Sequence, residues 1–132
     1  MTERPLHQSP KARIVVVDDD PIMRDLFGAI LSDDFEVAFA GDGEEGLDLI
    51  KRTVPALAIL DVNMPRMHGF ELCRRLRAEE TLKGTKIMFV SAKSYASDIN
   101  SAREIGGDEY VVKPFDAKEM LETVKKALGC GA

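Results

Sequence analysis

The chain has 132 residues, of which 45% are hydrophobic and 31% are charged, the composition of an ordinary globular protein with one core. Its net charge of −5 disfavours non-specific nucleic-acid binding, and no apolar run approaches the length that spans a membrane. Residues 1–10 lack the apolar core of a signal peptide, so we expect a cytoplasmic protein with reduced cysteines.

The chain divides into a flexible N-terminal tail, residues 1–11, one domain, residues 12–128, and a C-terminal stub, residues 129–132. Five short apolar runs predict strands at Ala12–Val17, Phe35–Ala40, Ala56–Leu60, Lys86–Val90 and Asp108–Val112. Amphipathic segments predict helices from Pro21 onward and at Glu44–Arg52, Gly69–Glu79, Ser97–Ile105 and Ala117–Leu128. Strict alternation predicts a doubly wound parallel α/β sheet, with the flavodoxin-like strand order 2-1-3-4-5.

Apolar spacing also predicts which side of a helix faces the sheet. In the first helix the predicted inward residues are Ile22, Leu26, Ala29 and Ile30. In the third helix they are Leu72, Cys73 and Leu76. Asp20 stands where a side chain caps the first helix, and Gly41-Asp42-Gly43 is interpreted as a turn.

Four of the five predicted strands carry a reactive or charged group at or just past the carboxyl end. These groups are Asp18 and Asp19, Asp61, Ser91 and Lys113. Parallel strands share one direction, so the groups meet at one edge of the sheet. Crowded carboxylates repel one another, and a hard cation such as Mg²⁺ relieves the repulsion. A lysine and a hydroxyl beside them predict a site for a phosphoryl group plus Mg²⁺.

Each group has a plainer interpretation when it is taken singly. An acid after a strand is often a cap or a turn residue, and Lys113 alone is typical of a surface lysine. The bond before Pro114 adopts the cis form at low cost, and that geometry could direct the lysine into the site. The joint occurrence at successive strand ends is what favours a functional site.

Four sequence motifs together resemble those of a known protein family. They are Val-Val-Asp-Asp ending at Asp19, Asp-Val-Asn-Met-Pro-Arg-Met-His-Gly from Asp61, Val-Ser-Ala around Ser91, and Tyr-Val-Val-Lys-Pro-Phe from Tyr110. In this order and spacing, over residues 12–128, the chain resembles the receiver domain of two-component response regulators. The resemblance implies that Asp61 accepts a phosphoryl group, with Asp19 as a direct Mg²⁺ ligand, Asp18 acting largely through water, and Asn63 giving its backbone carbonyl.

The same resemblance implies that Ser91 and Lys113 contact the phosphoryl oxygens and that Tyr110 is an aromatic switch residue. The implied phosphodonor is a histidine kinase or a histidine phosphotransfer protein. The implied output is a downstream protein target that binds the face of helix four, strand five and helix five. His68 stands where the family often has aspartate, and we expect only a partner or packing effect there. The sequence shows no output domain after the fifth helix, so the domain either stands alone or belongs to a longer protein.

Three other functions are weighed against this one. A phosphate-independent interaction module is left open by the sequence. A Mg²⁺-dependent phosphohydrolase is disfavoured because Asn63, rather than a second acid, stands two residues after Asp61. A flavin electron carrier is disfavoured because the acids after strand one would repel phosphate and the chain has no tryptophan. The prediction is therefore a phosphorylated switch rather than an enzyme that turns over a separate substrate.

Overall fold

The computed structural model describes residues 11–92 and 96–129. Its strands are β1 (Arg13–Val17), β2 (Glu36–Ala40), β3 (Leu57–Asp61), β4 (Lys86–Ser91) and β5 (Glu109–Val112). Its α-helices are α1 (Pro21–Leu31), α2 (Gly43–Thr53), α3 (Gly69–Arg77), α4 (Ala96–Glu104) and α5 (Ala117–Ala127). Most bounds lie within one or two residues of the prediction, and a short 3-10 helix at Glu80–Leu82 was not predicted. The tail, apart from Lys11, and the stub, apart from Gly129, lie outside the described residues.

The five strands form one parallel sheet in the order β2-β1-β3-β4-β5, which confirms the predicted topology. Alternate residues of β1 serve opposite faces: Val15 and Val17 pack on the side of α2 and α3, whereas Ile14 and Val16 pack on the side of α1 and α5. Both faces of the central strands are buried, which explains their continuous apolar sequences.

The inward face of α1 differs from the prediction at three of the four residues, whereas Ile30 is partly buried and packs against the core as predicted. Ile22 is 75% exposed, Leu26 is 41% exposed, and Ala29 is also exposed. The buried residues are instead Phe27 and Leu31, which belong to a second apolar stripe offset by one residue. Both stripes fit helical spacing, but burying the second removes more apolar area from water because it contains an aromatic ring.

The ends of two helices follow local rules of capping. The Asp42 side chain accepts a hydrogen bond from the Glu45 N–H (2.8 Å), so the predicted turn leads directly into α2. Gly106, with φ of +107°, follows the end of α4 in a conformation that glycine adopts without strain. Cys73 is buried in α3 as predicted, while Cys130 lies outside the described residues. Among the helices described here, none has both the length and the apolar character needed to cross a bilayer.

Candidate functional site

The strand register brings the predicted groups to one edge of the sheet. Neighbouring strands pair Val17 with Leu60, Asp61 with Val90, and Ser91 with Val112. The central strands therefore end almost level with one another. Asp61 and Ser91 are the last residues of β3 and β4, one residue further along than the predicted strand ends. The Lys113 N–H donates to the Ser91 backbone oxygen (2.7 Å), which ties the ends of β4 and β5 together.

Lys113 lies between two buried carboxylates. Its Nζ is 3.7 Å from Asp61 Oδ1 and 3.9 Å from Asp18 Oδ2. Asp18 is 2% exposed and Asp61 is 7% exposed, so solvent screens these interactions weakly. The peptide bond that follows Lys113 is cis. The structure thus brings together three residues that are separated by up to 95 positions in the sequence.

A third carboxylate completes the acidic group. Asp18, Asp19 and Asp61 each offer an oxygen atom, and these three atoms lie within 4.8 Å of one another. Asp19 is exposed, so the group opens to solvent on its side. Carboxylate oxygens are the ligands that Mg²⁺ prefers, and the three together fit a hard divalent cation.

Burial perturbs both inner carboxylates. Burial as the main cause, together with the neighbouring charge of Asp18, raises the pKa of Asp61 to about 6. Lys113 and the Asn63 N–H, which donates to Asp61 Oδ1 (3.3 Å), act in the opposite direction. Burial likewise raises the pKa of Asp18, against the hydrogen bond from the Asp20 N–H and the charge of Lys113. The raised pKa values show that the ionised forms of Asp18 and Asp61 are unfavourable beside Asp19. A bound cation would stabilise these ionised forms.

The acidic loop after β1 is held by hydrogen bonds on several sides. The Asp18 N–H donates to the Ala40 oxygen (3.1 Å), and Asp18 Oδ1 accepts from the Asp20 N–H (2.9 Å). The Asp20 side chain caps α1 by accepting from the Ile22 N–H (2.9 Å), as predicted. Arg24 Nη1 donates to the Asp18 backbone oxygen (2.7 Å). The loop conformation is therefore fixed by α1 and β2 as well as by β1.

Comparison with known proteins identifies the family. Residues 14–125 match the family model described as the response regulator receiver domain. The chain belongs to this family. It is a phosphoacceptor receiver domain of the type found in two-component signalling.

Relatives of this receiver domain include longer regulators. It is 37% identical to the DNA-binding response regulator MtrA of Mycolicibacterium smegmatis over 119 residues, which are 89% of this chain and 51% of MtrA. It is also 37% identical to the probable transcriptional regulator ycf27 of Porphyridium aerugineum, over 89% of this chain and 48% of that protein. The chain thus spans about half the length of the curated relatives that it matches.

Solved structures of single receivers match nearly end to end. The chemotaxis protein CheY4 of Vibrio cholerae superposes with a TM-score of 0.85 at 30% identity, over 89% of this chain and 98% of CheY4. A CheY-like receiver domain protein from Methanospirillum hungatei superposes with a TM-score of 0.83 at 32% identity, over 92% and 95% of the two chains. These matches confirm the fold of the receiver domain.

The predicted switch residue of the receiver domain lies outside the acidic group. Tyr110, in β5, is partly buried, and it pairs in register with Phe89 of β4. The centroids of the two rings are 6.5 Å apart. Phe89 precedes the buried Ser91 by two residues, so both side chains lie on the same face of β4. Tyr110 is thus one strand away from the hydroxyl that is predicted to couple to it.

His68 has a local structural role in the receiver domain. Its Nδ1 accepts from the Phe70 N–H (3.1 Å) at the start of α3, and the two rings meet edge to face with centroids 4.9 Å apart. This contact agrees with the predicted packing effect.

Gly69, which was not among the predicted site residues, supports the loop after Asp61. The Gly69 N–H donates to the Val62 oxygen (2.9 Å), and a Cβ at this position would overlap the backbone of Asp61 and Val62. Met64 and Met67 fill the space beneath the loop and are buried. The glycine was visible in the Asp61 motif, but only the close approach of the backbones explains why no larger residue fits.

Proposed function

We propose that Asp61 accepts a phosphoryl group from a histidine kinase or histidine phosphotransfer protein, and that the phosphorylated domain switches a protein-interaction face. The observation that carries this proposal is the grouping of the buried Asp61 carboxylate with Asp18, Asp19 and the Lys113 ammonium. Membership of the receiver family supports it.

Asp61 acts as the nucleophile in the proposed transfer. A carboxylate oxygen forms a bond to phosphorus while the bond from phosphorus to the donor imidazole nitrogen breaks, and the imidazole leaves with the electron pair. The reacting form is the carboxylate. A pKa of about 6 leaves Asp61 largely ionised at pH 7 and less so in acid. Water later hydrolyses the acyl phosphate and regenerates the carboxylate.

Lys113 and Ser91 would act on the transferring oxygens. The ammonium already lies 3.7 Å from Asp61 Oδ1, so it would lie beside a phosphoryl group on that carboxylate and offset its charge. The buried Ser91 hydroxyl would donate a hydrogen bond to a phosphoryl oxygen.

Asp19 and Asp61 would hold Mg²⁺ directly, with Asp18 acting largely through water and the Asn63 backbone carbonyl as a further ligand. The bound cation would neutralise charge on the phosphoryl oxygens. The fit rests on the oxygen-only donor set and on the raised pKa values of Asp18 and Asp61.

The output would follow from the new charge on Asp61. A phosphoryl group beside β4 draws the Ser91 hydroxyl toward it, and Tyr110 then turns inward and changes the face formed by α4, β5 and α5. A downstream protein binds that face. We expect the domain to work in the cytoplasm, as a switch whose own phosphorylation and dephosphorylation are self-catalysed. The net charge of −5 argues against direct nucleic-acid binding by this domain.

Intact-protein mass spectrometry after incubation with a small-molecule phosphodonor tests the proposal. We expect one phosphoryl increment on the wild type that requires Mg²⁺, and no increment on Asp61→Asn. Asp48→Asn, an exposed acid on α2, is the matched control and should behave as the wild type.

Two other results would replace the proposal. No increment in a protein that binds Mg²⁺ would favour a phosphate-independent interaction module. Sustained consumption of the phosphodonor over many turnovers would favour a phosphohydrolase.

A further inference from the structure

Asp19 depends on its neighbours for its position. Its side chain is exposed, in contrast to the buried Asp18 and Asp61 with which it forms the acidic group. An exposed side chain on a loop gains little from packing, so its place is set by the backbone that carries it. That backbone runs between Asp18 and Asp20.

Arg24 contacts this backbone on both sides of Asp19. Its Nη1 donates to the Asp18 oxygen (2.7 Å), and its own N–H donates to the Asp20 oxygen (3.1 Å). The first bond is charge-assisted and lies in a partly buried place, where such bonds are stronger than neutral ones. The second bond is the first main-chain bond of α1, which fixes Asp20 to the helix, so the Arg24 side chain adds the hold on Asp18.

Arg24 is itself held by a rigid helix. Three residues further along, Phe27 is buried against the sheet, with its ring 5.5 Å from that of Phe115. The guanidinium also lies over the backbone at Gly41, where an added Cβ would be 3.4 Å from Nη1. A movement of the Asp18–Asp20 loop would therefore have to break the Arg24 contacts or shift α1.

We propose that Arg24 is a positioning residue for the cation site: by holding the Asp18 carbonyl with its guanidinium it fixes Asp19, and so sets the affinity of the domain for Mg²⁺. The inference rests on the proposed function only in taking Mg²⁺ as the cation. The route is through the backbone, because Lys113 is the cation that acts on the Asp18 carboxylate. Residues that orient a metal ligand typically change metal affinity by about 10- to 100-fold when they are removed.

The test compares Arg24→Met, Arg24→Lys and Arg52→Met in a Mg²⁺ titration followed by amide NMR shifts. Arg24→Met keeps the length of the stem and the main-chain bond to Asp20 but removes the guanidinium donor to Asp18, so we expect its Mg²⁺ dissociation constant to rise about tenfold. Arg24→Lys keeps one point donor and should restore part of the affinity. Arg52→Met removes the same charge from the exposed face of α2 and should bind Mg²⁺ as the wild type does.

A second readout needs no metal. The Asp20 N–H donates to Asp18 Oδ1, so its exchange with solvent reports the loop conformation. In metal-free protein we expect faster exchange of this amide in Arg24→Met than in Arg52→Met. With saturating Mg²⁺, the rate of phosphoryl incorporation should recover toward that of the wild type, because the loss lies in binding.

Three results would overturn the role of Arg24. They are an unchanged dissociation constant and Asp20 exchange rate in Arg24→Met, an equal loss of affinity in Arg52→Met, and a phosphorylation defect that saturating Mg²⁺ does not relieve. Should Arg24→Met fail to fold, Arg24→Lys decides by the same measurements. A wild type that binds Mg²⁺ but accepts no phosphoryl group would contradict the proposed function and leave the Arg24 measurements valid.

Discussion

Asp61 combines two opposing requirements. It lies beside other carboxylates in a buried place, and in the proposed transfer it must be ionised to attack phosphorus. Burial and Asp18 both favour its protonated form, while Lys113 favours the carboxylate. A cation at the same site would shift the ionisation of Asp61 toward the carboxylate.

The raised pKa of Asp61 predicts how stability depends on pH in the metal-free protein. The folded pKa of about 6 exceeds the ordinary value of 3.8, so the folded state binds more protons between these values. The stabilisation is present below pH 3.8 and is lost as the pH rises through 6. Asp61→Asn removes this ionisation and should raise the free energy of unfolding at pH 7.5 by on the order of 2 kcal/mol.

Urea unfolding between pH 4 and pH 8, with a chelator present, checks this prediction. The free energy of unfolding should fall with pH less steeply in Asp61→Asn than in the wild type. Asp48→Asn, on the exposed face of α2, serves as the control. Parallel curves for Asp61→Asn and the wild type would show that Asp61 does not titrate in this way.

The acidic group was predictable from the sequence because its members stand directly after apolar runs at strand ends, which is a local signal. Arg24 and Gly69 left no such signal. Arg24 acts on a backbone carbonyl six residues earlier, and Gly69 avoids a clash with the backbone of Asp61. Both roles depend on how closely two segments of the backbone approach one another in the folded chain. Local sequence patterns do not show that distance.

At the scale of elements, the apolar spacing of α1 does not determine which side of the helix faces the sheet. Apolar residues occupy two adjacent stripes of this helix, and the spacing of three and four is satisfied by both. The sheet selects the stripe that carries Phe27, which lies against Phe115 of the loop before α5. Strands β1, β3 and β4 were predictable because burial on both faces leaves a continuous apolar run.

The choice of stripe on α1 gives a direct comparison of two substitutions. Phe27→Ala should lower the free energy of unfolding by about 3 to 4 kcal/mol, because it empties a buried site. Leu26→Ala removes a side chain that is 41% exposed and should cost less than about 1 kcal/mol. Denaturant unfolding of both variants measures the difference. Equal losses would show that α1 is rotated relative to the orientation described here.

At the scale of the molecule, the strand order brings the candidate site residues to one edge of the sheet. Strands β1 and β3 are neighbours and supply the three carboxylates, β4 follows with Ser91, and β5 at the edge supplies Lys113. Strand β2 carries no site residue and lies at the opposite edge. The alternation of strands and helices predicted this arrangement, since right-handed crossovers leave few other orders.

Binding at the acidic group should stabilise the whole fold. Mg²⁺ at a hundredfold excess over its dissociation constant should raise the free energy of unfolding by about 2.7 kcal/mol. At a fixed Mg²⁺ concentration the effect should grow as the pH rises through 6, because ionised Asp61 would bind the cation more tightly. Chelation should reverse it.

Thermal unfolding with and without Mg²⁺ measures this effect. Asp19→Asn should weaken the stabilisation, whereas Asp48→Asn should retain it. A melting temperature that rises equally in Asp19→Asn and the wild type would point to a cation site elsewhere.

The loop that follows Asp61, from Val62 to Gly69, is closed by a hydrogen bond. The Gly69 N–H donates to the Val62 oxygen, and between these ends Met64 and Met67 are buried while their neighbours are exposed. Substitutions at its outward positions, such as Pro65, should leave this bond intact, whereas an inserted or deleted residue should break it or turn the methionines outward. The length of this segment and the glycine at its end are therefore constrained more tightly than its outward side chains.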